Sequence, residues 1–322
     1  MYIERVSHMS HQWKKISGAT GLKPGSPICF GVHRSWRVGV WVMLCGLALP
    51  AAGGDRFTNI DGVLVPPQRL IAFLFLGHSN MEGYGGTPDT MTHPRAVTYL
   101  PTEGFVPARD PVSSRRNSPS PVMPFLKEMA RLYPDYYFCG IKIVQAGLPM
   151  CKTFSKGMSH FQKVVSLMDS IGHRVTLGGM LAMFGFVEGI SDSLSAAFYA
   201  DATAMIQAYR DTLGIDSLPV FWGQYEQNAD TTAYVNYHQY RARIIEAIDS
   251  LPRGDILGRT LLTPEQPVPR EYYFDDHHYN EDGYRLWGQS AAQQLHDRGW
   301  HAWYSKQLDT IPPAPPSLTL LE

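Results

Sequence analysis

The chain has 322 residues, 44% of them hydrophobic and 18% charged, a balance that excludes a disordered or fibrous chain and suits one large domain or two small ones at about 150 residues each. Its 28 basic and 29 acidic residues leave a net charge of -1. That offers neither the basic excess that suggests nucleic acid as a partner nor an acidic run that suggests a solvating tail.

The N-terminal stretch departs from this average. Residues 1–53 hold six basic residues (Arg5, Lys14, Lys15, Lys23, Arg34 and Arg37) and one acid, Glu4. Val38 to Ala52 is an uncharged apolar run that follows Arg34 and Arg37 and leads into Gly53 and Gly54. A basic flank, a short apolar core and small residues at the exit describe a signal peptide cleaved near Ala52, and hence a periplasmic or secreted protein. The run is shorter than the roughly 20 residues of a membrane span, so no stable span is expected after cleavage. The competing reading is an uncleaved N-terminal anchor. The segment ahead of the run is long for a signal, which points to a start downstream of Met1 or to an unusual leader. Bulky Leu44 before Cys45 argues against lipidation.

From Ile71 onward apolar runs alternate with helical patterns. Ile71–Leu76 reads as a buried parallel strand ended by Gly77. Residues 84–118, rich in Pro, Thr, Arg and Gly, read as a long irregular segment. A helix over Pro121–Leu132, a strand over Ile141–Val144 and a helix over Gly157–His173 follow. Then come a strand over Met180–Val187, a helix over Leu194–Leu213, a strand over Val220–Trp222, a helix over Thr231–Leu251 and a last strand over Leu257–Leu262. Asn280–Leu295 is the closing helix, with Asn280 as N-cap and Glu281 and Asp282 in its first turn. The alternation predicts an α/β fold, a three-layer α/β/α sandwich around a mostly parallel central sheet. Its catalytic domain would span 67–306, with a Pro-rich C-terminal tail over 307–322. In such sheets the site lies beyond the carboxyl ends of the strands.

Four cysteines occur, at 29, 45, 139 and 151. Cys139 opens a strand and Cys151 lies beyond its far end, farther apart than the roughly 7 Å a disulfide bridges, so both are expected to be free. No CxxC or HExxH metal spacing occurs.

Two windows carry chemistry. In Leu74–Gly83 (LFLGHSNMEG), Ser79 stands just past the first strand. There it is either a nucleophile near backbone N–H groups or an ordinary helix N-cap. In Phe274–Tyr284 (FDDHHYNEDGY), Asp275 and His278 are three apart, so on one turn the carboxylate can hold Nδ1–H and leave Nε2 as a base. A solvated surface turn, or a metal site using His277 or His278, are the alternatives.

Together the windows resemble the SGNH hydrolase superfamily, and within it the sialate O-acetylesterase-type carbohydrate esterases. Gly77-His78-Ser79-Asn80-Met81-Glu82-Gly83 is similar to that family's G-Q-S-N-M-x-G, and Asp275, His278, Gly283 and Tyr284 match D-x-x-H-x-x-x-x-G-Y. Val106–Pro111 resembles W-x-P-x-x-D-P, Val144–Gly147 a second block, and Phe186–Asp192 the block W-x-Q-G-E-S-D. The likeness spans about residues 70–298.

The resemblance implies a flavodoxin-like SGNH hydrolase, a serine esterase that removes O-acetyl groups from a carbohydrate, with sialic acid or a plant polysaccharide as substrate. It implies Ser79 as nucleophile, His278 as base and Asp275 as its orienting carboxylate. The oxyanion would meet the N–H groups of Ser79 and Gly147 and the third-block residue, which is Glu188 where the family has glutamine. An ionised carboxylate has no proton to donate, so Glu188 is protonated, or a neighbour such as Gln145, Gln224 or Asn80 donates, or the enzyme is weak. His78, Asn80 and Gln145 are expected substrate contacts, His78 being otherwise a packed or capped histidine, and Gln224 and Tyr225, which follow the Val220–Trp222 strand, are either further sugar contacts or an ordinary loop. No cofactor, metal or nucleic acid is implied. The rival readings are an inactive carbohydrate-binding member of the fold and a lipid or thioester hydrolase.

Overall fold

The computed structural model of the chain describes residues 57–112, 117–223, 239–251, 260–263 and 268–310. The leader over 1–53, its cleavage point near Ala52 and the tail from 311 lie outside the described residues.

Thr58–Ile60 (β1) and Val63–Val65 (β2) form an antiparallel hairpin. Its Asp61-Gly62 turn has both residues at positive φ, 47° and 84°, which an Asp-Gly pair tolerates best. The other seven strands make one sheet: Leu70–Gly77 (β3), Ala96–Leu100 (β4), Gly104–Pro107 (β5), Tyr137–Val144 (β6), Thr176–Met183 (β7), Val220–Gly223 (β8) and Thr260–Thr263 (β9). Their order is β5-β4-β6-β3-β7-β8-β9. All neighbours run parallel except β4 and β5. Among the described residues seven α-helices occur: Ser79–Glu82 (α1), Val122–Leu132 (α2), Ser159–Ile171 (α3), Asp192–Leu213 (α4), Arg241–Ser250 (α5), Glu281–Asp297 (α6) and Trp300–Thr310 (α7).

The predicted three layers are present, and β3 explains them. Every residue of β3 is buried. Leu70, Ala72, Leu74 and Leu76 join a core with Phe161 and Val164 of α3, Phe198 and Met205 of α4, and Ile244 of α5. Ile71, Phe73 and Phe75 alternate to the opposite core, with Phe125 and Met129 of α2, Trp287 of α6 and Trp300 of α7. A strand side chain of this kind contributes about 1.5–3 kcal/mol on burial; because successive residues face opposite ways, β3 anchors both helix layers at once. Phe73 meets Phe125 edge-on at 4.9 Å, and the Trp300 indole N–H donates to the Gly178 carbonyl at 2.9 Å.

Several boundaries differ from the sequence reading. The stretch 84–118 is not wholly irregular, since it contains β4 and β5. The strand expected at Met180–Val187 runs over Thr176–Met183, so Phe184–Val187 leaves the sheet as a connection. Residues 307–310, expected to open the tail, belong to α7. Of the helix expected over Thr231–Leu251, residues 231–238 lie outside the described residues and α5 occupies the rest. Cys139 and Cys151 are both buried, and neither is in a disulfide among the described residues.

The direction of strand addition reverses at β3. Strands β4 and β6 lie on one side of it, β7 to β9 on the other. A crevice forms where the connections diverge, beyond the carboxyl ends of the strands.

Candidate active site

The last residue of β3, Gly77, accepts the Gln145 N–H at 3.0 Å, and the His78 N–H donates to the Met183 carbonyl at 3.1 Å. The chain leaving β3 is therefore pinned between the ends of β6 and β7. A side chain at Gly77 would lie 2.6 Å from the Met183 carbonyl oxygen and 2.8 Å from Met81 Cβ, so the turn closes only with glycine. His78 is the N-cap of the one-turn helix α1 and Ser79 its first residue. The N-cap reading of Ser79 is thereby displaced by one position. Beneath α1, Lys142 Nζ donates to the Glu82 carbonyl at 2.8 Å. Burial lowers this lysine to about 8, and burial raises the nearby Asp110, which accepts from the Ser120 hydroxyl at 3.0 Å, to about 6.

The second window folds into a tight loop ahead of α6. The Phe274 N–H donates to the His278 carbonyl at 2.7 Å and the Asn280 N–H to Tyr272 at 2.9 Å. Asn280 caps α6 through the N–H groups of Asp282 and Gly283. Within the loop Asp275 Oδ1 accepts the N–H groups of His277 (3.0 Å) and His278 (2.7 Å), while Oδ2 lies 2.8 Å from His278 Nδ1. His278 Nε2 lies 2.8 Å from Ser79 Oγ. An ionised carboxylate only accepts, so Nδ1 carries the proton. In the neutral ring Nε2 is then an acceptor and the Ser79 hydroxyl donates to it. That is the geometry in which an imidazole takes a proton from an attacking hydroxyl.

The electrostatics agree. Burial would raise the Asp275 carboxyl, but the hydrogen bond and charge of His278, with His277 behind it, hold it well below the usual carboxylate range. Burial lowers His278 to about 4 despite the opposing pull of Asp275. The ring is therefore neutral at pH 7.

Asn80 joins the two windows. Its Nδ2 donates to the His277 carbonyl at 2.9 Å, and its Oδ1 accepts the Tyr279 N–H at 3.1 Å and the Tyr284 hydroxyl at 3.2 Å. Expected as a substrate contact or oxyanion donor, Asn80 has both ends of its amide engaged in holding the histidine loop. Sequence reasoning missed the rings around the base. Tyr84 stacks on His278, the tilted His277 ring lies 3.9 Å from it between centroids, and Phe186 stacks on His277 at 4.4 Å. It also missed that His277 Nδ1 pairs with Asp276 Oδ1 at 2.7 Å. Adjacent acids and histidines were the available signal, but they read equally as a solvated turn.

Glu188 is 3% exposed. Its Oε1 accepts the Met150 N–H at 2.7 Å and its Oε2 the Gly185 N–H at 3.1 Å. Both oxygens act as acceptors, which departs from the donor role considered for this position. Gln145 turns its Nε2 to the neighbouring Ala146 carbonyl at 3.2 Å. Gly147 follows β6 at φ 77°, a backbone only glycine adopts readily. Gln224 and Tyr225 lie outside the described residues. His78 lines a pocket beside Ser79, together with Asn80, Met183, Phe184, Phe186 and His277.

Asp275, His277 and His278 bring ligand-capable atoms within 4.8 Å of one another, a grouping that a metal could use. Hydrogen bonds among Asp275, His278 and Ser79 already engage both oxygens of the carboxylate and both nitrogens of His278. No helix among the described residues is long and apolar enough to cross a membrane.

Residues 69–296 match the family model described as carbohydrate esterase, sialic acid-specific acetylesterase. Among solved structures, a protein of Arabidopsis thaliana is similar with a TM-score of 0.58 at 15% identity, over 72% of this chain and 99% of that one. NanS is similar with a TM-score of 0.51 at 12% identity, over 76% of this chain and 99% of that one. At these identities the likeness is one of fold. No curated protein sequence matches the chain.

Proposed function

Since the chain belongs to the sialic acid-specific acetylesterase family of carbohydrate esterases, we propose that it is a serine esterase that removes O-acetyl groups from a carbohydrate, sialic acid or a plant polysaccharide, through an acyl-enzyme on Ser79. The observation that carries this reading is the continuous line Asp275 Oδ2, His278 Nδ1, His278 Nε2 and Ser79 Oγ, with both contacts at 2.8 Å.

In this reading Ser79 Oγ forms a bond to the acetyl carbon as its proton passes to His278 Nε2. Asp275 stabilises the imidazolium without taking the proton. The negative oxygen of the tetrahedral intermediate meets the N–H groups of Ser79 and Gly147. Collapse breaks the carbon–oxygen bond to the sugar, and His278 returns its proton to the departing hydroxyl. Water then attacks the acyl-enzyme by the same relay, releasing acetate and restoring Ser79. The esterase domain is taken as 67–306, and the leader over 1–53 supports export.

Glu188 favours a second reading, a carbohydrate-binding member of the fold with little turnover, because a carboxylate that accepts two backbone N–H groups gives the oxyanion no proton. One experiment separates the two. Acetate release is measured from 4-nitrophenyl acetate, acetylated sialic acid and acetylated xylan, for the parent and for Ser79→Ala. Loss of turnover with Ser79→Ala supports the esterase. Unchanged turnover in Ser79→Ala sinks it, and binding of an acetylated glycan without hydrolysis at any pH selects the second reading.

A further inference from the structure

Strand β6 runs beside the central strand β3, and one of its buried positions is a lysine. Lys142 pairs with Phe75 and is 5% exposed. It shares a strand face with Phe138 and Val144, which pack into the apolar core that holds α2 and α6. Lysine is almost never this deeply buried unless it is paired, and taking its charge out of water costs several kcal/mol. A methionine or leucine would pack there without that cost, so the ammonium calls for an explanation other than packing.

Its contacts supply one. Lys142 Nζ donates at 2.8 Å to the carbonyl of Glu82, the last residue of the one-turn helix that begins at Ser79. The Gly83 N–H closes the same turn on the Ser79 carbonyl at 2.9 Å. One residue on, Tyr84 lays its ring on His278. The Tyr84 N–H donates to the Tyr284 hydroxyl at 3.1 Å, and its carbonyl accepts the Ser118 hydroxyl at 3.2 Å. The Glu82 carbonyl therefore lies on the short stretch of chain between the nucleophile and the ring over its base. A second buried charge acts on Lys142. Asp110 is 2% exposed, accepts the Ser120 hydroxyl through Oδ1 at 3.0 Å, and has no hydrogen-bond partner for Oδ2 among the described residues. Burial brings Lys142 down to about 8, while the charges of Asp110 and Glu82 both favour its ammonium form.

We propose that Lys142 is a positioning residue whose hydrogen bond to the Glu82 carbonyl fixes the turn that carries Ser79 against the Tyr84 ring that covers His278, with Asp110 as its buried counter-charge. This rests on the esterase reading above. Lys142 acts through the Glu82 carbonyl rather than on the reacting atoms. A hydrogen bond from an ammonium is about twice as strong as one between neutral groups, so the tether is firm while Lys142 is protonated and slackens as pH rises through about 8. Between about 6 and about 8 both Asp110 and Lys142 are ionised. Above that range Asp110 is left as a buried carboxylate without its counter-charge, and the turn loses its hold from below.

The test measures kcat and KM on 4-nitrophenyl acetate between about pH 5 and about pH 9.5 for the full chain and for Lys142→Met and Asp110→Asn. A protein-free blank corrects for spontaneous hydrolysis, Ser79→Ala is the reference, and each variant is assayed well below its Tm. Lys142→Met keeps an unbranched side chain of similar length without the donor. It is expected to lower kcat at pH 7 by about ten- to a hundredfold, as for a small misplacement of reacting groups, with KM changed less than about threefold. In the parent kcat is expected to fall as pH rises through about 8, toward the level of Lys142→Met, whose own profile lacks that alkaline limb. Asp110→Asn still accepts from Ser120 but removes one of the charges that keep Lys142 protonated, so its alkaline limb should move to lower pH. A lysine with a packing role alone would change Tm and leave these profiles untouched. Parent-like kcat in Lys142→Met, an alkaline limb that persists in it, or a limb unmoved in Asp110→Asn overturns the proposal. If Lys142→Met does not fold, the parent and Asp110→Asn carry the comparison, and a parent profile level to the alkaline end or a limb unmoved in Asp110→Asn overturns it. Should the parent be inactive, or Ser79→Ala keep full turnover, the esterase reading itself has failed, whereas a dead Ser79→Ala beside an unaffected Lys142→Met removes only this proposal.

Discussion

Tyr84 lies flat on His278, with ring centroids 3.8 Å apart and planes 10° from parallel. The phenol covers one face of the base, and the His277 ring lies tilted by 43° with its centroid 3.9 Å away. The imidazole is thereby confined to the plane in which its two nitrogens face Asp275 and Ser79. Tyr84→Ala opens that face to water. Since burial is the main cause of the low His278 pKa, the acid limb of the pH–rate profile should move up toward 6.5 and kcat at pH 7 should fall by about ten- to a hundredfold through loss of orientation. Tyr84→Phe should preserve both. Identical profiles for the alanine and phenylalanine variants would count against this role.

The pH dependence of the parent follows from the same burial. Ser79 can pass its proton only to neutral His278, and burial lowers that ring from its ordinary 6.5 to about 4. Plots of kcat/KM against pH should therefore stay level through 6 and fall only near 4. The same shift bears on stability. Its folded value is depressed, so the contribution is fully present above about 6.5 and is lost as pH falls through about 4, because the unfolded chain takes the proton first. Denaturant titrations at pH 7, 5.5 and 4.5 would show this decline; an activity limb near 6.5 would contradict the burial of the ring.

Asn80 is expected to matter for structure and rate together. Asn80→Ala removes the hydrogen bonds that its amide makes to the His277 carbonyl, the Tyr279 N–H and the Tyr284 hydroxyl, and losing a buried bond of this kind costs about 1–3 kcal/mol. Thermal unfolding should register a clear drop in Tm, with kcat lowered as the histidine loop loosens. Tyr284→Phe removes the hydroxyl's bond to Asn80 and its acceptance of the Tyr84 N–H at 3.1 Å, and should cost about 1–3 kcal/mol. Equal Tm values for Asn80→Ala and the parent would show that the loop does not depend on this amide.

Gly83 closes the nucleophile turn at φ 94°, and a Cβ there would run into the Pro119 carbonyl. Gly83→Ala meets both a disfavoured backbone and a clash with main chain that cannot swing aside. A loss of more than about 1 kcal/mol is expected, with esterase activity reduced because α1 carries Ser79. Chemical denaturation with an assay at the same temperature checks both; a stable, fully active Gly83→Ala would remove the argument.

The central features of the fold are legible in the amino-acid sequence because they rest on local pattern. The unbroken apolar run at Ile71–Leu76 admits only a strand buried on both faces, and it forms the middle of the sheet. Asn280 with Glu281 and Asp282 marks the start of α6 to the residue. The β4–β5 pair was hidden because Pro101, Thr102 and Gly104 mark a turn while the alternation around them is short. The Asp61-Gly62 hairpin carried a recognisable signal that was passed over. For the site, Ser79, Asp275 and His278 stand out by position, two residues past a strand and three apart in one loop, while their roles come from the resemblance of the two windows to a family. The contacts between the windows are not legible, since the Asn80 bridge and the Tyr84 stack join residues whose sequence neighbours give no hint of one another. Glu188 shows the limit most clearly. Its identity suggested a missing donor, whereas its two backbone contacts are three-dimensional facts.

Ser79 and His278 stand 199 positions apart in the chain. In the proposed mechanism the serine emerges early during synthesis, while the imidazole that would activate it arrives only when most of the domain has been made. A chain that stops short of position 278 carries an ordinary alcohol however well its first strands assemble. On that mechanism hydrolysis reports only on molecules that contain the histidine loop, and a product that ends before it is chemically silent toward any ester it meets. The last loop to be laid down, rather than the residue that bonds to the substrate, sets the moment at which the protein becomes reactive.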